Sequence, residues 1–177
     1  MTDQAVAKDN FVDTAALIST LAQLDIHYLR SPSYTEPLPL DPDRVIAELS
    51  QHPDPRLREA LIPLFLRHPE LSKHVPHLVG KMSPAAGERL QHMYTAAVYL
   101  QRLWLGKLEM YLGPLPSLPD YYGQSLWELP TPEDHYGEAG LRALADHFQT
   151  KTGDNWLSTY QTTMLHFLHY LRLDANG

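Results

Sequence analysis

The sequence of 177 residues contains no cysteine, and this absence excludes disulfide bonds and thiolate chemistry. It also lacks any run of about 18 consecutive apolar residues, so it predicts no helix that spans a bilayer. The first residues, MTDQAVAKDN, are polar and lack the basic and apolar regions of a signal peptide. These absences favour a cytoplasmic protein.

Positive charge is scarce. The 14 Lys and Arg residues face 21 Asp and Glu residues, which leaves a net charge of −7. Nucleic-acid backbones are bound by clusters of Lys and Arg, whereas here these residues are dispersed. Folding could still bring Arg56, Arg58, Arg67 and Lys73 into a local basic patch. The charge therefore argues against a nucleic-acid partner and leaves a protein partner or a homodimer open.

The common catalytic and cofactor-binding motifs are also missing. The sequence has no glycine-rich phosphate loop, no G-x-S-x-G nucleophile elbow and no H-E-x-x-H metal motif. It therefore predicts no cofactor, and it favours a non-enzymatic protein.

Proline is abundant, with 15 residues against 9 glycines. Four prolines follow a good helix N-cap, in the pairs Asp41-Pro42, Asp54-Pro55, Ser83-Pro84 and Thr131-Pro132. Proline suits the first helical position, because its fixed φ is already helical and its missing N–H has no partner to lose there. With no strong β alternation between these starts, the pattern predicts an all-α fold.

The prolines also divide the chain into segments. We predict a flexible N-terminus over 1–9, a helical arm over 10–30, a proline-rich connection over 31–41, a helical domain over 42–173 and a frayed end over 174–177. The arm could pack on its own domain or swap onto a second chain. We expect a compact bundle of six or seven helices, at 10–29, 42–51, 55–67, 69–79, 84–112, 132–149 and 154–173.

The helix over 84–112 is predicted to be the centre of the bundle. On a helical wheel its polar residues form one narrow stripe, and nearly all other positions are apolar. The stripe consists of Gln91, Thr95, Arg102, Gly106 and Glu109. We expect solvent to reach only this stripe.

Histidine pairs raise the question of a metal site. His74 and His77, like His166 and His169, have the i,i+3 spacing that could present two imidazoles to one ion. His166 and His169, however, lie opposite the apolar face of the last helix, and Pro76 interrupts the other pair. The sequence therefore predicts no metal site.

His92 differs from the other histidines because it shares an angular position on the central helix with Tyr99. A partly buried histidine beside a tyrosine can have a shifted pKa and can line a ligand pocket. His92 and Tyr99 are therefore candidate ligand-binding residues in an apolar pocket. A structural histidine with a satisfied hydrogen bond is the alternative interpretation.

Two segments resemble the signature of the small helical HEPN ribonucleases, an arginine followed by four to six residues and a histidine. Arg142 and His147 fit this spacing, as do Arg67 and His74. The resemblance implies metal-independent RNA cleavage, in which histidine assists proton transfer and arginine stabilises the phosphorane. Because chance readily produces such spacings, this is the enzymatic alternative to a non-enzymatic function.

The segment between the central helix and the next predicted helix, residues 112–140, is long and rich in proline and aromatic residues. Long loops are often functional, and tyrosine and tryptophan dominate the centres of protein interfaces. Tyr121, Tyr122, Trp127 and Tyr136 are therefore candidate partner-binding residues. The alternative is that the aromatic residues pin the loop onto the bundle.

One family resemblance spans much of the chain. The segments "LPLDPDRVIAELSQHPDPRLREALIPLFLRHPEL", "GEAGLRALADHF" and "NWLSTYQ" resemble small uncharacterised helical proteins of bacteria encoded beside nucleotidyltransferases of toxin–antitoxin type. The resemblance brings no catalytic residue with it. It implies an accessory, regulatory or protein-interaction subunit, which is the function we expect from the sequence.

Overall fold

The protein folds from helices. The computed structural model describes residues 12–31, 35–39 and 41–177, and no strand occurs among them. The α-helices are α1 (Thr14–Gln23), α2 (Pro42–Gln51), α3 (Pro55–Glu59), α4 (Leu61–Arg67), α5 (Val75–Lys81), α6 (Pro84–Leu103), α7 (Leu105–Leu112), α8 (Gly123–Trp127), α9 (Glu138–Thr152) and α10 (Trp156–Ala175). Two 3-10 helices span Pro69–His74 and Asp134–Gly137. The all-α class is confirmed, and the helices outnumber the six or seven predicted because several of those are interrupted.

Three of the predicted N-caps form as expected. The side chain of Asp41 accepts a hydrogen bond from the N–H of Asp43 (3.1 Å), and that of Asp54 accepts one from Arg56 (2.9 Å). Ser83 caps α6 through the N–H of Ala86 (3.3 Å). Each cap satisfies a backbone donor that has no partner inside its helix.

The first helix is shorter than the predicted 10–29. It ends at Gln23, because Asp25 takes a left-handed conformation with φ of 58°. The N–H of Ile26 then donates to Leu21 O (2.9 Å) and the N–H of Asp25 to Ala22 O (3.1 Å), as in a Schellman motif. Residues 1–11, which include the predicted flexible segment 1–9 and the start of the helix, lie outside the described residues.

The N-terminal arm packs on its own chain. Arg67 of α4 forms an ion pair with Asp25 (3.2 Å), and His68 Nε2 donates to Leu24 O (2.8 Å). The connection between α1 and α2 is bonded to α1, since the N–H of Leu38 donates to Thr20 Oγ1 (2.9 Å).

The predicted helix over 55–67 is divided at Ala60. Pro63 has no N–H to donate to the carbonyl of Glu59, so the regular bond pattern is broken there. The predicted helix over 69–79 likewise starts as the 3-10 helix Pro69–His74 before α5 continues it.

Helix α6 lies at the centre of the bundle and contacts α2, α3, α4, α5 and α9. The predicted solvent-facing stripe is only partly exposed, because Thr95 is fully buried and Arg102 is half-buried. The helix also ends earlier than residue 112. It is interrupted at Trp104, where φ is −110° and ψ is 15°, and α7 continues from Leu105.

The predicted helix over 132–149 begins later, at Glu138. His135, Tyr136 and Gly137 have positive φ values of 47°, 56° and 88°, which cannot belong to a right-handed helix. A Cβ atom at Gly137 would lie 2.4 Å from Tyr99 O, so the chain crosses α6 here through a glycine.

The last helix extends beyond its predicted end at residue 173. Asp174 and Ala175 are helical rather than frayed, and Asn176 Nδ2 donates to Arg172 O (2.7 Å) at the C-terminal end. Of the helices in the described ranges, none has the length and apolar character needed to cross a membrane.

Candidate functional site

A cleft of about 410 Å³ opens beside His92. Its walls come from α3, α6, α9 and the start of α10. Apart from Thr152, the side chains that line it are of two kinds. The apolar and aromatic group consists of Pro55, Ala85, His92, Met93, Phe148 and Trp156, and the charged group of Arg58, Glu59, Glu88, Arg89, Lys151 and Asp154. Its volume is typical of pockets that hold small molecules.

Trp156 presents the accessible aromatic surface of this cleft. It is half-buried, whereas His92 and Phe148 behind it are only 3% and 4% exposed. The His92 ring stacks on Phe148 with centroids 3.7 Å apart and meets the edge of Trp156 at 4.5 Å. Trp156 Nε1 also donates to Thr152 Oγ1 (2.9 Å). The indole is therefore held in one orientation before any ligand arrives.

His92 is a neutral residue at physiological pH. Its pKa is lowered to about 3, mainly by burial and in addition by the charges of the nearby His147 and Lys151. Its Nε2 shares a hydrogen bond with Tyr160 Oη, and burial raises the pKa of Tyr160 well above its usual value. The pair is therefore an uncharged imidazole and an uncharged phenol. A histidine with so low a pKa accepts protons too poorly to act as a general base near pH 7.

Two arginines also line the cleft, and both are bonded to carbonyl groups where α2 ends. Arg58 Nη1 donates to His52 O and Pro53 O (both 2.8 Å), and Arg89 Nε donates to Ser50 O (3.0 Å). Within the described part of the chain, neither arginine forms an ion pair with a carboxylate. Lys151, in contrast, is paired with Glu88.

Glu59 connects this cleft with a second one. It is half-buried, and burial raises its pKa, although the charge of Arg58 opposes this rise. The second cleft, of about 570 Å³, lies between the arm and α10, and its lining includes Tyr28, Arg30 and His166. Burial and the charge of Glu59 together raise the pKa of Tyr28.

No protein-family model, curated protein or solved structure matches this chain. The resemblance to small bacterial helical proteins stays a prediction.

The two predicted ligand residues are separated by the fold. His92 lines the cleft, but Tyr99 does not. Tyr99 is fully buried, and its hydroxyl donates to Pro130 O (2.8 Å). Its ring packs against Gly140, where an added Cβ would lie 2.1 Å from Tyr99 Cε1. Tyr99 is therefore a packing residue between α6, the start of α9 and the loop that precedes α9.

The predicted aromatic loop is bonded to α6 along much of its length. Gln101 Nε2 donates to Pro116 O (2.9 Å), and Gln101 Oε1 accepts from the N–H of Leu118 (2.8 Å). Arg102 Nη2 donates to Leu118 O (3.0 Å), and Tyr94 Oη donates to Pro119 O (2.7 Å). The polar side chains of the central helix thus donate hydrogen bonds to the carbonyl groups of the loop. These side chains are therefore covered by the loop instead of being exposed to solvent.

The four predicted partner-binding residues differ in exposure. Tyr121 stacks on Tyr94 at 5.4 Å, and Tyr122 and Trp127 are half-buried against the core. Tyr136 is 82% exposed and has φ of 56°. Part of the loop is also regular, since α8 occupies Gly123–Trp127.

The Arg/His pairs of the ribonuclease hypothesis are engaged elsewhere. Arg142 is exposed and forms two hydrogen bonds with Glu138 Oε1 (3.1 and 2.9 Å). His147 is half-buried with its ring against Trp127 (5.7 Å), on a position about 140° around α9 from Arg142. Arg67 pairs with Asp25, as described above, whereas His74 pairs with Asp43 (2.6 Å).

Neither a basic patch nor a metal cluster is assembled from the predicted residues. Arg56 pairs with Asp54 and Arg67 with Asp25, while Arg58 faces the cleft. In the described ranges, no group of three or more His, Asp or Glu side chains is arranged to hold a metal ion.

Sequence reasoning missed Arg89, Phe148 and Trp156 as site residues. Their positions alone could not reveal them, because Arg89 and Trp156 are far apart in the chain and come to line one cleft only through helix packing. The one available indication was a tryptophan at the first position of a helix after the N-cap Asn155.

Proposed function

We propose that this protein binds a small molecule with a flat apolar part in the cleft beside His92. The observation that carries the proposal is the preoriented indole of Trp156, which forms an aromatic surface within a pocket of suitable volume. The neutral His92–Tyr160 pair supports a binding role over a catalytic one, because His92 lines the cleft without being a proton acceptor suited to neutral pH.

The proposal is tested with two aromatic probes, benzoate and benzamide, followed by NMR of the three tryptophan indole N–H groups. We expect a saturable shift of the Trp156 resonance, with Trp104 and Trp127 unaffected. A fragment of about nine non-hydrogen atoms should bind with a Kd on the order of 1 mM.

Matched variants separate specific binding from weak association with any tryptophan. Trp156→Leu should abolish probe binding, whereas Trp104→Leu removes a half-buried tryptophan outside the cleft and should leave it unchanged. Circular dichroism checks that both variants keep their helix content. Equal binding by the wild type and Trp156→Leu would contradict the proposal.

A protein-interaction function is the second candidate, and it is favoured by Tyr136. This large aromatic side chain is 82% exposed, and its backbone is held in the left-handed region together with His135. Non-glycine residues in this region are uncommon, and strained backbone is often kept for function. A partner would use Tyr136 as its contact, while Tyr121, Tyr122 and Trp127 position the loop.

The second candidate predicts that a partner captured by the wild type is lost with Tyr136→Ala. Leu165→Ala is the control, because Leu165 is also exposed (57%) but lies on α10. The readout is quantitative mass spectrometry of crosslinked complexes from cells that express each variant. Retention of the same partners by Tyr136→Ala would contradict an interface at this residue.

A further inference from the structure

Arg58 and Arg89 have hydrogen-bonding capacity that the fold leaves unused. Among the described residues, Arg58 bonds only through Nη1 and Arg89 only through Nε. Both side chains donate to carbonyl groups at or just after the C-terminal end of α2, where the helix dipole favours cations. The remaining donors, Nε and Nη2 of Arg58 and both Nη atoms of Arg89, are left for other acceptors.

The two guanidinium groups also repel each other. The pKa of Arg58 is lowered by burial and, next, by the positive charge of Arg89. Glu59 and Asp54 oppose this effect, but neither forms an ion pair with Arg58. Two adjacent cations whose charges are incompletely offset within the protein are stabilised when an anion binds between them.

The other charged side chains of the cleft do not cancel the attraction of Arg58 and Arg89 for an anion. The negative charge of Glu88 is offset by its ion pair with Lys151. Asp154 is exposed, so solvent screens its charge. Glu59, which is half-buried like Glu88, forms no ion pair with Arg58 or Arg89 within the described residues, and burial raises its pKa. The arginines therefore remain the groups available to bind a charged ligand.

We infer that the ligand of this cleft carries an oxyanion, a carboxylate or a phosphate, which Arg58 and Arg89 bind while the flat apolar part packs on Trp156. This inference rests on the proposed binding of a small molecule. Arginine suits such a group because its planar set of N–H donors matches two oxygen atoms of a carboxylate or phosphate. The aromatic surface and the arginines line the same cleft, so one ligand can contact both.

Titration with benzoate, phenyl phosphate and benzamide tests the inference. Benzamide has nearly the shape of benzoate but no charge, so we expect at least one of the two anions to bind about tenfold more tightly than benzamide. Arg58→Gln and Arg89→Gln should each weaken anion binding about tenfold and leave benzamide binding unchanged. The better of the two anions identifies the head group as carboxylate or phosphate.

Arg142→Gln is the matched control, because it removes the same charge from an exposed position on α9 outside the cleft. It should change neither anion nor benzamide binding. Arg58→Gln loses the hydrogen bonds to His52 O and Pro53 O after α2, and it could fail to fold for this reason. In that case Arg89→Gln and Arg58→Lys test the inference instead. Arg58→Lys should retain part of the anion affinity.

The outcomes separate this inference from the proposed function. Equal affinity for benzamide and both anions would overturn the inference and leave the binding site intact. Failure of all three probes to shift Trp156 would overturn the proposed function. Anion binding that survives both Arg58→Gln and Arg89→Gln would also overturn the inference, because it would place the anion elsewhere.

Discussion

Replacement of both His92 and Tyr160 by phenylalanine is expected to make the protein less sensitive to acid. In the folded protein the pKa of His92 is about 3, against 6.5 for a histidine in water. The unfolded chain therefore binds a proton on this residue between pH 6.5 and 3, whereas the folded protein does not. The contribution of His92 to the free energy of unfolding is therefore fully present above pH 6.5, and it is lost as the pH decreases towards 3.

The expected loss of stability is large. Each pKa unit corresponds to about 1.4 kcal/mol, so the full effect is on the order of 5 kcal/mol, of which about 3 kcal/mol is lost by pH 4.5. Phenylalanine at both positions keeps the stacking on Phe148 and removes the two polar groups together, so the double variant should remain folded. Its stability should lack the part of the pH dependence that belongs to His92.

Denaturant unfolding at pH 7.5 and pH 4.5 measures this difference. The single variant His92→Phe should also be destabilised at pH 7.5, by about 1–3 kcal/mol, because it leaves the buried hydroxyl of Tyr160 without a partner. His77→Phe is the control, since His77 is exposed. Equal acid sensitivity in the wild type and the double variant would show that His92 is not buried in its neutral form.

Substitution of Gly140 by alanine is expected to destabilise the protein by about 2–3 kcal/mol, despite the higher helix propensity of alanine. The added Cβ would lie 2.1 Å from Cε1 and 2.4 Å from Cζ of Tyr99, far inside van der Waals contact. The Tyr99 ring cannot easily move away, because it is fully buried and its hydroxyl is bonded to Pro130 O. Helix α9 would therefore have to shift away from α6.

Gly106→Ala is the matched control for this variant. Gly106 is also helical, but an added Cβ there meets no atom within 4 Å. Alanine should therefore stabilise the protein at this site, by up to about 1 kcal/mol. In a Tyr99→Leu background, Gly140→Ala should cost less than in the wild type. Thermal unfolding of the four variants measures both effects, and equal effects at Gly106 and Gly140 would contradict the close packing of Tyr99.

The starts of helices could be predicted from the sequence because a cap depends on few neighbours. Asp41, Asp54 and Ser83 each bond to an N–H two or three residues ahead, and the following proline excludes other backbone conformations. The end of α1 could not be predicted in this way. Its left-handed cap residue is Asp25 rather than glycine, so the usual indication of a helix end is missing.

The start of α9 shows how tertiary contacts overrule a local pattern. Thr131-Pro132 has the form of a helix start, yet the chain first makes a left-handed turn over His135, Tyr136 and Gly137. The close approach of Gly137 to the backbone of Tyr99 requires this turn. A pattern in the sequence around Pro132 cannot report a contact with α6.

The candidate site was only partly predictable. His92 stands out as a histidine on a nearly apolar helix, but its hydrogen-bond partner Tyr160 is 68 residues away. Arg58 and Arg89 face the same cleft because α3 and α6 both pack at the end of α2. The helical wheel places Tyr99 beside His92, because a wheel cannot distinguish a cleft from a packed contact with another helix.

The sequence by itself determined the all-α class, the helices that begin at capped prolines and the central position of the helix that starts at Pro84. These features follow from backbone propensity, capping and apolar periodicity, which act over a few residues. Only the tertiary structure decided which polar side chains are buried, which aromatic residues hold the loop and which charges face the cleft. The physical reason is that burial and charge pairing depend on how helices pack, and packing joins residues that the sequence keeps far apart.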